Sequence, residues 1–138
     1  MQLYTHLAIA FLLGLLVYFY FPNEMFFGVL LLSALLPDID MQQPFRSLLS
    51  HRGFLHSFIF LVIASAFLSL FSFQFAAAFF LGYVSHLASD ALTPHGIYPF
   101  WPSSKRISGP IKVGSILEKI LFFLICALII AFFVSMIR

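Results

Sequence analysis

Charged side chains are scarce in this sequence. Asp, Glu, Lys and Arg together make up 9% of its 138 residues, whereas an ordinary soluble domain has about 25%. Hydrophobic residues make up 62%, and phenylalanine alone occupies 20 positions. Such a chain has too little polar surface for a soluble protein, whereas phenylalanine inserts readily into lipid. The composition therefore predicts a single integral membrane domain over residues 1–138.

Other absences exclude whole classes of site. The single cysteine, Cys126, lies in an apolar run, so neither an internal disulfide nor a solvent-exposed thiol nucleophile is expected. The sequence has no Gly-x-Ser-x-Gly elbow and no glycine-rich phosphate loop. The net charge is only +2 and the basic residues are few, so nucleic acid is not an expected partner.

What the chain does have is a series of apolar segments separated by helix-breaking residues. A helix needs about 20 residues to cross a hydrocarbon core of about 30 Å. Pro22, Pro37 and Pro94 each end an apolar segment. The pattern predicts an all-α bundle of about five transmembrane helices. Their predicted ranges are 7–21, 25–36, 54–71, 73–92 and 116–137.

The polar residues predict an orientation for this bundle. All charged and histidine side chains except Glu24 and Arg138 fall at one membrane face if the five segments cross in turn. Positive residues favour the cytoplasm, so we expect a multi-pass cell membrane protein with a cytoplasmic amino terminus. Its polar face would then open to the cytoplasm or the inner leaflet.

Histidine and aspartate recur at that face with a spacing that suits metal binding. His86 and Asp90 are four residues apart, so they share one helix face. The simpler alternative is a hydrogen bond between the two. His51 precedes the third segment and His56 lies at its start, and Gly53 between them permits a turn that would let both face inward. The alternative there is one loop histidine and one helix-capping histidine.

Three further acids and one histidine fall at the same level. Asp38 and Asp40 follow Pro37, and ordinary helix capping or a solvated loop is their alternative role. His6 near the start of the first segment is either a ligand or an interfacial residue. Glu118 opens the last segment, where a first-turn acid is favoured by the helix dipole; a ligand role is the second interpretation.

Taken together, these residues predict a metal site. Several imidazoles and carboxylates form the kind of ligand set that Zn²⁺ prefers, and acids or histidines placed inside a membrane usually mark function. The predicted ligands are His6, Asp38, His51, His56, His86 and Asp90, with Glu118 as an additional candidate.

The same residues carry a resemblance to a known family. The motifs Thr5-His6, Pro37-Asp38-Ile39-Asp40, 51–57 and 82–93 resemble those of the YdjM-type membrane-bound metal-dependent hydrolases. The stretch 96–102 and Gly-Ser-x-x-Glu at 114–118 match as well, so the resemblance covers nearly the whole chain. Two positions depart from the pattern: Leu55 stands where relatives often have threonine, and His95 where an aromatic residue is common.

That family is distantly similar to the zinc-dependent phospholipases C, which also have an all-helical site with a His-x-x-x-Asp pair. The resemblance implies that Asp90 bridges two metals, with His56 completing one site and His6 the other. The second helical His-x-x-x-Glu pair of the phospholipases is missing from this sequence, so at most two ions are expected.

The expected activity is hydrolysis of a phosphoester in a lipid or lipid-linked substrate by water that a divalent metal activates. The metal would be Zn²⁺, with Mn²⁺ as the alternative. Asp38 or Asp40 would accept the proton. Arg52 would bind the substrate phosphate, or it is a positive residue that only sets the membrane orientation. Two rival interpretations stay open: a small ion-binding transporter or channel, and a non-catalytic membrane protein whose metal is structural.

Overall fold

The computed structural model describes residues 1–41 and 53–137, with the side chains of residues 40 and 41 excepted. The described part of the chain contains five α-helices and, as its only β-structure, a single bridge between Ile97 and Ile107. The predicted all-α class is therefore confirmed. The helices are α1 (Leu3–Tyr20), α2 (Glu24–Ser33), α3 (Phe58–Ser69), α4 (Phe73–Ala91) and α5 (Ile116–Ile137).

The ends of α2 and α3 differ from the sequence-based ranges. Helix α2 ends at Ser33 and is followed by a 3₁₀ segment, Leu36–Met41, because the ring of Pro37 would clash with the carbonyl four residues earlier. Helix α3 begins only at Phe58, since the Ser57 side chain accepts a hydrogen bond from the Phe60 N–H and caps it. Both changes leave polar residues in short 3₁₀ turns beside the helix ends.

Helix α4 is the centre of the bundle. It packs against α1, α2 and α3, whereas α5 packs against α1 at the edge. One apolar core cluster joins α1, α2 and α4 around Leu30 and Ala78, and a second joins α3 and α4 around Leu61 and Tyr83. Every element of the bundle except α5 therefore depends on α4 for its packing.

The connection between α4 and α5 folds back onto the end of α4. The N–H of Ile111 donates to the carbonyl of Leu92, and Ile97 and Ile107 exchange a pair of backbone hydrogen bonds. The N–H of Phe58 donates to the carbonyl of Pro99 at 2.9 Å, which ties this connection to the start of α3. The loop thus joins the ends of three helices at one side of the bundle.

Helix length supports fewer membrane crossings than the sequence pattern predicts. By length and composition, α1 and α5 are the two described helices that qualify as membrane spans. Helix α2 has 10 residues, about 15 Å at 1.5 Å per residue, which is roughly half a hydrocarbon core. The prediction of five spans is thus supported for two helices.

Helices α2 and α4 approach each other most closely at Gly82. A Cβ atom on Gly82 would lie 2.0 Å from the carbonyl oxygen of Leu30 and 2.1 Å from Oγ of Ser33. One turn further along both helices, His86 contacts Ala34. The two helices therefore run in the same direction, as expected for the second and fourth elements of an alternating bundle.

This contact gives a prediction about stability. Gly82→Ala should destabilise the protein by about 1–3 kcal/mol, because the added methyl overlaps backbone atoms that cannot move independently of α2. The matched control is Gly28→Ala in α2, whose Cβ would meet nothing within 4 Å and which should gain about 0.5–1 kcal/mol from the better helix former. Thermal unfolding in detergent measures both; equal melting temperatures for the two variants would contradict the packing described.

Candidate metal centre

Four polar side chains from three parts of the chain meet at one end of the bundle. Asp38, His56, His86 and Asp90 each offer a ligand atom, and these four atoms lie within 4.8 Å of one another. Asp38 comes from the 3₁₀ segment after α2, His56 from the turn before α3, and the other two from α4. We call this set the His/Asp cluster; it brings together four of the residues predicted from the sequence.

The local structure explains how each side chain reaches the cluster. His86 and Asp90 are one turn apart on the last part of α4. The turn that carries His56 is held by the hydroxyl of Tyr83, which donates to the carbonyl of Leu55 at 2.5 Å. Asp38 enters from the side because Pro37 ends the α-helical path of the chain.

The distances between the histidine nitrogens and the aspartate oxygens of the cluster are close to those around a small bound cation. Oδ1 of Asp38 lies 3.6 Å from Nε2 of His86 and 3.7 Å from Nε2 of His56. Oδ2 of Asp90 lies 3.8 and 3.7 Å from the same two nitrogens. Ligand atoms about 2.0–2.2 Å from a tetrahedral Zn²⁺ are roughly 3.3–3.6 Å apart. The cluster is thus slightly wider than a zinc-filled set of ligands.

Hydrogen bonding gives His86 the tautomer that a metal ligand needs. Its Nδ1 lies 2.7 Å from the carbonyl oxygen of Ala34, and a carbonyl only accepts, so Nδ1 carries the proton. In the neutral ring, Nε2 then has a free lone pair directed at the cluster, and it makes no hydrogen bond within the described residues. A backbone carbonyl on the far nitrogen is the usual way in which proteins orient a ligating histidine.

His6 lies beside the cluster on the other side of Asp90. Its ring stacks on His86 with centroids 4.0 Å apart, and its Nε2 is 3.4 Å from Oδ1 of Asp90. The hydroxyl of Ser89 donates to the carbonyl of His86 and is 2.6 Å from Nδ1 of His6. A hydroxyl has one proton, so it accepts from Nδ1–H, and Nε2 of His6 is again the unprotonated nitrogen.

The two oxygens of Asp90 therefore face different groups. Oδ2 faces His56 and His86, while Oδ1 faces His6 and the amino group of Met1. This is the arrangement that a bridging carboxylate requires, and it places His6 where the resemblance puts the ligand of a second metal. The role itself stays a prediction.

Asp38 is the exposed member of the cluster. Its side chain is 22% exposed, whereas His6, His56, His86 and Asp90 are each at most 1% exposed. Burial acts to raise the pKa of Asp38, but the imidazole of His56 and the neighbouring His86 and His6 outweigh burial and hold the pKa below its usual value. This carboxylate is thus ionised at neutral pH.

Glu118, the additional candidate, has a different environment. It is fully buried, Oε1 accepts the N–H of Gln2 at 2.7 Å, and Oε2 accepts the N–H of Gly114 at 2.6 Å. These bonds tie the start of α5 to the start of α1. They match the helix-start interpretation of Glu118, and its role as a metal ligand stays a prediction.

Three predicted site residues fall outside this description. His51 and Arg52 lie outside the described residues, and so does the side chain of Asp40. His95, one of the two positions that depart from the family pattern, is exposed.

Two residues that orient the cluster were missed from the sequence. The carbonyl of Ala34 has no partner within α2 because the helix ends there, so it can accept from His86. In the sequence, only Pro37, three residues later, indicated that the helix would end near Ala34. Ser89 gave a weak signal, since it lies three residues after His86 and so on a neighbouring part of the same face.

The chain is similar to known membrane proteins. Residues 1–138 match the family model described as YdjM inner membrane protein. Relatives named inner membrane protein YdjM, from Escherichia coli (strain K12) and from Shigella flexneri, are each 34% identical over 111 residues. Each alignment covers 64% of this chain and 57% of the relative, so the chain spans little more than half the length of these relatives.

No solved structure matches the chain. The family match, in contrast, extends from the first residue to the last and includes every member of the His/Asp cluster. The chain belongs to the YdjM inner membrane protein family.

Proposed function

We propose that this protein is a membrane-embedded, metal-dependent hydrolase that cleaves a phosphoester of a lipid or lipid-linked substrate. The observation that carries the proposal is the His/Asp cluster. Two imidazole rings, each with Nε2 directed inward, and two carboxylates converge within 4.8 Å in a buried position. A cluster of this kind at a helix end is expensive unless a cation compensates it.

The metal that best fits these ligands is Zn²⁺, with Mn²⁺ as the alternative. Catalytic zinc sites usually have three protein ligands and one open position. We assign His56, His86 and Asp90 as the three ligands because they are the buried members of the cluster. A divalent cation held there would supply Lewis acidity at a phosphoryl oxygen and lower the pKa of water. A second ion, between Asp90 and His6, is part of the same proposal.

Asp38 is assigned as the general base. It is ionised, partly exposed and next to the fourth position, so it can accept a proton from an attacking water. The water oxygen bonds to phosphorus as Asp38 takes its proton, the bond from phosphorus to the leaving oxygen breaks, and the alcohol leaves with the proton that Asp38 had accepted. Asp40 as an alternative base and Arg52 as the phosphate-binding residue remain predictions from the sequence.

The apolar interior favours this function over ion transport. A permeation route needs polar groups along the depth of the membrane, whereas the core cluster that begins beside His86 consists of Ala10, Phe26, Leu30, Ala34 and Ala78. A purely structural metal is the remaining alternative, and the catalytic test below separates it from a hydrolase.

We further propose that all five helices cross the membrane, with the amino terminus and the His/Asp cluster at the cytoplasmic side. Six of the seven Lys and Arg residues precede α3 or flank the connection to α5, and only Arg138 would lie outside. Reporter fusions at Lys105 and after Arg138 should therefore report opposite sides of the membrane. Two reporters on one side would contradict the topology without affecting the metal site.

The metal assignment predicts which substitutions lose the ion. His56→Ala, His86→Ala and Asp90→Asn should each lose stoichiometric zinc, because each removes one of three ligands. His95→Ala is the matched control, since this histidine is exposed and belongs to the loop. Elemental analysis of the purified variants, with melting curves to check folding, makes the measurement; stoichiometric zinc in all three folded variants would contradict the site.

The base assignment predicts a loss of rate without a loss of metal. Asp38→Asn keeps the size of the side chain but removes the proton acceptor, so hydrolysis should fall by about 10²–10⁴-fold while zinc stays bound. The assay uses anionic phospholipids or lipid-linked phosphates in detergent micelles with added zinc. A parent protein that binds zinc but hydrolyses none of them would favour the structural alternative. Full activity in Asp38→Asn would show that another group is the base.

A further inference from the structure

A groove on the outside of the bundle leads directly to the His/Asp cluster. Its cavity has a volume of about 390 Å³ and lies between the start of α1, the end of α2 and the 3₁₀ segment. It is lined by Leu3, Leu32, Leu35, Leu36, Ile39 and Asp38. Of the described side chains that line it, Asp38 is the only polar one.

Asp38 is the partly exposed member of the cluster and it also lines the groove. Among the described residues, this groove is therefore the route to the cluster. Asp38 is 22% exposed and the other three members are at most 1% exposed. A molecule that enters through the groove passes leucine and isoleucine side chains before it reaches Asp38. Leu32 and Leu36 are themselves exposed, so the groove opens sideways from the bundle.

From this juxtaposition we infer that the groove binds the hydrocarbon chain of a phosphate-bearing lipid, with the phosphate at the cluster and the chain along Leu32, Leu35, Leu36 and Ile39. The inference rests on the proposed function and deepens it by assigning the chain-binding part of the site. A water-soluble phosphoester would leave this apolar surface unused. A lipid covers it and reaches Asp38 from within the leaflet, without passing through water.

Photolabelling tests the groove independently of catalysis. The probe is a phosphatidylglycerol with a diazirine in one acyl chain, incorporated into nanodiscs with the zinc-loaded full chain, and mass spectrometry maps the labelled residues. Labelling should concentrate on Leu3 and residues 32–39, in excess over residues 128–134 of α5, whose side chains are largely exposed apolar ones as well. Equal labelling of the two segments would overturn the inference.

A matched pair of variants tests whether the labelling depends on the groove itself. Leu32→Trp puts a larger side chain into the groove at an exposed position and should remove most of the excess labelling. Leu128→Trp makes the same change at an exposed leucine of α5 and should not. A diacylglycerol probe with the same photoreactive chain but no phosphate should label the groove less. Unchanged labelling in Leu32→Trp, or equal labelling by the two probes, would contradict the assignment.

Kinetic measurements then distinguish a wrong assignment of the groove from a wrong proposed function. In Leu32→Trp, kcat/KM for a long-chain phospholipid should fall about tenfold or more, the size of effect expected for a misfitted apolar pocket, while a short water-soluble phosphodiester should be hydrolysed as before. Equal losses of kcat/KM on both substrates would contradict the assignment of the groove but not the proposed hydrolase activity. Labelling of the groove without hydrolysis of any phosphoester would support lipid binding in the groove and contradict the proposed hydrolase activity.

Discussion

The close packing of α2 against α4 is the contact on which the site depends. Gly82 lets the backbone of α2 approach at Leu30, and one turn later the carbonyl of Ala34 accepts the Nδ1–H of His86 at 2.7 Å. That hydrogen bond fixes the ring and its tautomer, and thereby directs Nε2 into the cluster. The same end of α2 leads into the 3₁₀ segment that carries Asp38. A shift of α2 would therefore displace both Asp38 and the carbonyl that orients His86.

The His/Asp cluster contains charged groups, unlike the apolar core beside it. Asp90 is 1% exposed and faces three imidazole rings. With Nε2 unprotonated on His6 and His86, lone pairs face carboxylate oxygens, and a cation between them relieves the repulsion. The amino group of Met1 does this at Oδ1 of Asp90, and a proton or a metal ion can do it at the other oxygens. Two imidazole nitrogens and two carboxylate oxygens within 4.8 Å suit a metal. Buried carboxylates without such compensation would cost several kcal/mol each.

Much of this site could be read from the sequence because helix geometry relates spacing to position. The four-residue interval between His86 and Asp90 placed them on one face, and Pro37 correctly ended the helix before Asp38. Glu118 shows where such reasoning stops. Its position at a helix start fitted either a ligand or a backbone acceptor, and only the positions of Gln2 and Gly114 distinguish the two. The contacts of Glu118 with the backbone of Gln2 and Gly114 have no signature in spacing.

The number of membrane-spanning helices could also be predicted only in part from the sequence. Apolar composition predicted five segments, but it did not reveal that Pro37 and Ser57 shorten α2 and α3 by moving residues into 3₁₀ turns. Those shortened ends are where Asp38 and His56 enter the bundle. The loss of helix length and the formation of the cluster thus have the same cause.

The difference between an enzyme and a structural metal site depends on Asp38. If its carboxylate binds the ion, the ligand set of four protein groups is closed, as in structural zinc sites. If it stays beside the ion, three ligands remain, a position is open, and a base lies next to it. The exposure of Asp38 and the apolar groove that ends at it favour the second arrangement, because a structural site has no use for a route from the lipid to its ligands.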